Sequence, residues 1–112
     1  MGISIPTSVR IGKGCSIGHF GGIILHSDVV MGEDCSLRPG VILETRGLGQ
    51  RGAPHLGDHV YVGVGAKILG PVRIGHHAKI GANVVVLRNV PDCATAVGIP
   101  AKIVRETHAG DT

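Results

Sequence analysis

From Leu56 to Val86 an aliphatic residue falls at every sixth position: Leu56, Val62, Ile68, Ile74, Ile80 and Val86. Four residues after each stands a second, smaller apolar residue: Val60, Ala66, Val72, Ala78, Val84 and Val90. The N-terminal half keeps the same beat with Ile5, Ile11 and Ile17, then, after two extra residues, Leu25, Met31, Leu37 and Leu43. Their partners are Val9, Cys15, Gly21, Val29, Cys35 and Val41. A repeat of six is a multiple of the strand period of two and not of 3.6, so a helix would smear these side chains around its surface. An ordinary sandwich strand would instead alternate apolar and polar at every second position, which this chain does not do.

The pattern fits short extended segments that turn a corner every six residues, each leading aliphatic pointing inward. Glycine follows the leading residue directly at Gly12, Gly18, Gly32, Gly57, Gly63, Gly75 and Gly81, and is expected to relax the backbone at the bend. Three segments close one triangular coil, and coils stack at the interstrand spacing of about 4.8 Å. Thirteen such segments predict an all-β solenoid of a little over four coils over residues 1–104, with a polar tail at 105–112. Composition agrees. With 19 Gly, one Phe, one Tyr and no Trp, the interior must be filled by Ile, Val and Leu.

Two interruptions stand out. Gly21–Gly22 adds two residues, and the polar, Gly-rich stretch between Leu43 and Leu56 reads as one extended loop at about 44–55 thrown out from a corner. Loops carried on a rigid solenoid are the usual seat of binding chemistry. After Val90 the repeat is expected to stop at Pro91–Asp92, and the apolar segment 94–104 to fold back on the last coil. The net charge of +3 is scattered, without a basic block or aromatic platforms, which argues against a nucleic-acid partner. No apolar run is long enough to span a bilayer as a helix. Three Cys suit free thiols in a reducing cytoplasm better than a disulfide framework.

Four stretches in order, IGHFGGIIL (17–25), LGDHVYVGVGAKILG (56–70), IGANVVVLRNVP (80–91) and AVGIPAKIV (96–104), resemble the hexapeptide-repeat acyltransferases, and within them the serine acetyltransferase family. The resemblance implies a left-handed parallel β-helix, a handedness opposite to the usual crossover preference. It also implies transfer of an acetyl group from acetyl-CoA to a hydroxyl, with a histidine as general base. On that pattern His19 is the catalytic residue, since an imidazole near neutrality is both unprotonated and basic enough to take a hydroxyl proton. The family's second, substrate-contacting histidine falls in the long loop. Anchoring on Pro54 places Ala53 at that position, whereas spacing from His19 selects His55, so His55 is the substrate-binding candidate. Val64 and Ala82 match the family's contacts to the pantetheine arm, and Gly63 and Gly81, alongside them, complete the coenzyme-binding candidates. Lys102 matches the partner of a nucleotide phosphate.

Gly18 stands where the serine enzymes carry an Asp that helps hold the amino group, so the acceptor is left open between serine and a sugar or polysaccharide hydroxyl. His19 and the loop belong to corners one side apart, roughly 15–20 Å with six-residue sides. A threefold assembly would bring one chain's loop to its neighbour's His19, and a homotrimer is therefore expected. No metal is expected: His55/His59 and the adjacent His76–His77 lack the spacing of a three-histidine zinc site. Cys15 and Cys35 fall at inward positions and read as small core residues. Two readings of other classes compete, a non-catalytic trimeric scaffold and a zinc enzyme like the β-helical carbonic anhydrases.

Overall fold

The computed structural model describes residues 9–18, 22–47, 49 and 51–104. Ile5, His19, Phe20, Gly21 and the tail 105–112 fall outside them. Among the described residues there are fourteen short strands and no helix: β1 (Arg10–Ile11), β2 (Ser16–Ile17), β3 (Ile24–Leu25), β4 (Val30–Met31), β5 (Ser36–Leu37), β6 (Ile42–Glu44), β7 (His55–Leu56), β8 (Tyr61–Val62), β9 (Lys67–Leu69), β10 (Arg73–Ile74), β11 (Lys79–Ile80), β12 (Val85–Val86), β13 (Thr95–Val97) and β14 (Lys102–Val104). With no helix present, none is long and apolar enough to cross a membrane.

Successive strands go to three different sheets, as segments turning a corner at fixed intervals require. The first sheet runs β1-β4-β7-β10, the second β2-β5-β8-β11-β13-β14, and the third β3-β6-β9-β12. All pairings are parallel except β13 with β14. In the regular region each residue lies against the one eighteen positions on: His55 against Arg73, Tyr61 against Lys79, Lys67 against Val85. The leading residues Leu25, Met31, Leu37, Leu43, Leu56, Val62, Ile68, Ile74, Ile80 and Val86 are all buried, as are partners such as Val29, Val41, Val60 and Val84. A side chain every sixth residue thus lines one continuous core, and the predicted all-β solenoid is the fold.

Four details differ from the sequence reading. The glycines after the leading residues do not sit at strained turns. Their φ values are ordinary, and at all of them but Gly81 glycine is required because the neighbouring coil passes too close. A Cβ on Gly12 would lie 2.5 Å from the Gly32 carbonyl carbon, one on Gly32 2.6 Å from Gly57 O, and one on Gly63 2.8 Å from Ala82 N. The positive φ angles come two residues later, at Gly14, Asp34, His59, His77 and Cys93 on one corner and at Gly22, Gly40, Gly65 and Asn83 on another.

Second, the inward partner before β3 is Ile23, fully buried, rather than Gly21. The two inserted residues shift the segment by a whole strand period, which preserves which side chains face the core. Third, the repeat does not stop at Val90. Val90 bridges to Ile74 and Ala96 lies against Ile80, both sixteen residues apart instead of eighteen. The last coil is therefore two residues short, again a whole period, and Val90, Ala94 and Ala96 remain buried. The chain then folds back as expected: β14 pairs antiparallel with β13, and Ala101 N–H donates to Val85 O at 3.0 Å. Fourth, the long loop is narrower than 44–55. Glu44 ends β6, His55 opens β7, and Ala53 turns into the core at 3 % exposure, although this stretch was expected to stay outside.

Candidate active site

The three sheets meet at three corners, and the residues singled out in the sequence fall on two of them. The corner between the second and third sheets follows β2, β5, β8 and β11. Its register stacks Gly18, Arg38, Gly63 and Gly81 in one column, because Ile17 lies against Leu37, Leu37 against Val62 and Val62 against Ile80. One residue further along, Pro39, Val64 and Ala82 form a parallel column. His19 lies outside the described residues; Gly18 and Gly22, which flank it, both belong to this corner. Gly18 N–H donates to Leu37 O at 2.9 Å. A Cβ at Gly18 would meet Pro39 Cδ at 2.9 Å. The Asp that the resemblance leads one to expect here would thus collide with the proline ring of the next coil.

The expected coenzyme residues assemble along the same edge. Val64 is 49 % exposed and Ala82 is exposed beside it, over the glycine column of Gly63 and Gly81. Lys102, on β14, lies opposite Val97, whose side chain approaches Gly81. The outcome is a strip of small residues over the later coils, Gly63, Val64, Gly81 and Ala82, with exposed Arg38 on the coil before it and the Lys102 ammonium group towards its C-terminal end. Among the described residues this corner carries no carboxylate.

His55 is elsewhere. It is exposed on β7, between Val30 and Arg73 in register, directly after the loop that leaves the corner between the third and first sheets. It faces a shallow groove shared with Arg73, Asn89 and Asp92. Buried Ala53 offers no side chain to a ligand there. Gly18 and the loop that precedes His55 thus stand at different corners of one chain.

The other histidines among the described residues have structural partners, His26 Nδ1 accepting from Asp28 N–H at 3.1 Å. On the corner between the first and second sheets, Asp58 N–H donates to His76 Nδ1 at 2.8 Å and His76 N–H donates to Asp92 Oδ1 at 2.8 Å. The rings of His59 and His77 stack with centroids 4.8 Å apart. No group of three or more His, Cys, Asp or Glu side chains among the described residues is arranged to hold a metal ion. All three cysteines are free. Cys35 is fully buried and donates its thiol to Gly57 O at 3.0 Å, and burial pushes that thiol up to about 11, so it is not a nucleophile at neutral pH.

Comparison with known proteins agrees with this geometry. The family described as bacterial transferase hexapeptide (six repeats) matches residues 53–88. The serine acetyltransferase of Mycobacterium tuberculosis is 36 % identical over 108 residues, 96 % of this chain and 47 % of that protein. The serine acetyltransferase of Haemophilus influenzae is 42 % identical over 109 residues, 96 % of this chain and 40 % of that protein. Among solved structures, serine acetyltransferase from Neisseria gonorrhoeae superimposes with a TM-score of 0.85 at 39 % identity, covering 90 % of this chain and 39 % of that one. Soybean serine acetyltransferase complexed with serine gives 0.80 at 42 % identity, covering 87 % and 40 %. The chain spans less than half the length of these relatives. Its fold, its column of small residues and its sequence agree: the chain belongs to the hexapeptide-repeat transferases, in the serine acetyltransferase family, as a left-handed parallel β-helix.

Proposed function

We propose that this chain is an acetyl-CoA-dependent O-acetyltransferase acting on serine, working as a homotrimer in the cytoplasm. The observation that carries the reading is the single edge on which Gly63, Val64, Gly81, Ala82 and Lys102 line up with the residues flanking His19. A strip of small side chains can admit the thin pantetheine arm, and Lys102 at its end can meet a phosphate. His19 takes the hydroxyl proton of the acceptor as the oxygen attacks the thioester carbonyl. The tetrahedral adduct then collapses, the carbon–sulfur bond breaks, and the proton passes from the imidazolium to the departing thiolate. The products are an acetyl ester and free CoA.

His55 contributes as an acceptor contact from a neighbouring subunit, since its corner lies one side of the prism away from His19. Serine is favoured over a sugar hydroxyl by relatives such as those of Mycobacterium tuberculosis and Haemophilus influenzae, which are serine acetyltransferases. The departure at Gly18 means that the ammonium of serine is held by groups other than a carboxylate at that position.

The test is thiol release from acetyl-CoA with L-serine or free sugars as acceptor. Serine-dependent release is expected, falling by about 10²–10⁴-fold in His19→Ala, with His55→Ala raising the KM for serine. Coenzyme binding with release only in the presence of sugars would sink the serine assignment. Absence of both binding and release would favour the scaffold reading. Sedimentation adds a separate check: a monomer with full activity would overturn the shared site.

A further inference from the structure

The corner between the third and first sheets carries a cluster to which the proposed reaction assigns no residue. Arg46 and Arg51, from the long loop, and Arg88, from the turn after β12, line one open groove. Its remaining walls are Pro71, Val72, Leu87 and Asn89. The two loop arginines reach Arg88 only because the solenoid stacks the loop's corner over the later coils.

Three features make this a built cluster. The Arg46 guanidinium is anchored, because its Nη2 donates to Leu87 O and its side chain lies across Gly70, where a Cβ would come within 2.7 Å of Nε. Arg46 is thereby held next to Arg88. None of the three guanidinium groups is in an ion pair among the described residues. The carboxylates on this corner are engaged elsewhere: Asp28 lies 3.9 Å from His26 Nδ1, and Glu44 Oε1 accepts from Thr45 N–H at 3.1 Å. Asn89 contributes in the same sense, since its Oδ1 already accepts from Arg73 N–H at 2.8 Å and its amide nitrogen is left to donate. Three neighbouring cations with no counter-charge repel one another, and the groove presents side-chain donors without a side-chain acceptor. Planar guanidinium forks match the paired oxygens of carboxylates and phosphates alike, and three uncompensated cations favour the more highly charged phosphate.

We propose that Arg46, Arg51 and Arg88 form a phosphate-binding site, whose ligand is a pyrophosphate or phosphate monoester group. Two sources carry that chemistry. One is the nucleotide end of a CoA molecule lying on the edge of a neighbouring subunit, and only this source rests on the proposed acetyl transfer. The other is a free or sugar-borne phosphate that binds independently of it. The apolar floor of Pro71, Val72 and Leu87 can cover the carbon part of either organic ligand.

The probe is inorganic pyrophosphate, titrated by calorimetry into the intact protein, followed by CoA and dephospho-CoA. Pyrophosphate should bind with an affinity that falls as salt rises. Arg88→Gln should weaken it by about tenfold, and Arg46→Gln by about as much, as expected for the loss of a charge-assisted hydrogen bond. Arg46 also braces the loop, whereas Arg88 has no hydrogen bond or ion pair among the described residues, so the Arg88 variant, with an unchanged melting temperature, decides the matter. If Arg88→Gln weakens CoA more than dephospho-CoA, the ligand is the coenzyme's 3′-phosphate. If it weakens pyrophosphate and leaves both coenzymes untouched, the ligand is a separate phosphate. Pyrophosphate that fails to bind, or binds equally well to wild type and Arg88→Gln, overturns the site.

Discussion

Two corners of this prism share one backbone and differ in everything attached to it. At each, a residue with positive φ donates its N–H across to the neighbouring coil: Asp34 to Lys13 O, His59 to Glu33 O and His77 to Asp58 O on the first corner, Gly65 to Pro39 O and Asn83 to Val64 O on the second. On the first corner four of the five left-handed residues carry side chains, Asp34, His59, His77 and Cys93. On the second, Gly22, Gly40 and Gly65 leave only Asn83 with one. A left-handed conformation costs an L-residue roughly 1 kcal/mol, least for Asn, Asp and His. The first corner accepts that cost and offsets it by locking its side chains together, with His59 stacked on His77 and its Nε2 3.7 Å from Asp34 Oδ2. The second avoids the cost and stays bare. The difference separates a structural seam from a surface that a long thin ligand can occupy.

The sharpest way to break this contrast is at His19, the residue after Gly18 of the second corner. Its replacement by Ala should lower turnover by about 10²–10⁴-fold, whereas His77→Ala, on the polar seam, should leave turnover unchanged. Steady-state rates of the two variants at equal folded fraction make the comparison. The next effect is steric. A Cβ at Gly63 would sit 2.8 Å from Ala82 N, whereas one at Gly81 meets nothing closer than 3.4 Å. Gly63→Ala should therefore cost about 2–3 kcal/mol and Gly81→Ala under about 0.5 kcal/mol in thermal or denaturant unfolding. Equal costs would mean that the bare column is not set by the approach of neighbouring coils.

Most of the architecture was legible because burial enforces it. An inward position accepts only an aliphatic or small residue, so Leu25 through Val86 announce themselves at intervals of six. What lay hidden has physical causes. Insertions and deletions of two residues keep the same faces inward, so Ile23 and Ala96 continue the core while breaking the visible beat. A glycine required by a neighbouring coil looks the same in sequence as one required by a turn, and only the register of Gly12 against Gly32 tells them apart. The edge proposed for the coenzyme rests on a resemblance to a family, matched residue by residue. The arginine groove was not legible, because Arg88 meets Arg46 and Arg51 through stacking and no local spacing links them.

Beneath the polar seam the two inward cysteines tie coil to coil, Cys15 donating to Gly32 O at 3.3 Å and Cys35 to Gly57 O at 3.0 Å. Removal from water is the main cause that raises the Cys35 thiol from 9.0 to about 11. The unfolded chain releases this proton near pH 9 while the folded protein retains it, so the unfolded state binds fewer protons and stability falls as pH rises from 9 toward 11. The loss attributable to Cys35 should reach roughly 2 kcal/mol by pH 11. Melting curves of wild type and Cys35→Val should diverge over that interval and run parallel below it; parallel curves throughout would show that the thiol titrates unperturbed.

The smallest effect tests whether the seam is structural alone. Asp58 Oδ1 accepts from Glu33 N–H at 2.8 Å, joining two coils, and its Oδ2 lies 3.8 Å from His76 Nδ1. Both side chains are about half exposed, so the ion pair contributes little and the hydrogen bond dominates. Asp58→Ala should cost about 1 kcal/mol of stability, and added salt should change that figure hardly at all. Because nothing on this corner faces the Gly63–Ala82 strip, the KM for acetyl-CoA should not move. A shift in KM at unchanged stability would make the seam part of the coenzyme site, and the division of labour between the two corners would fail.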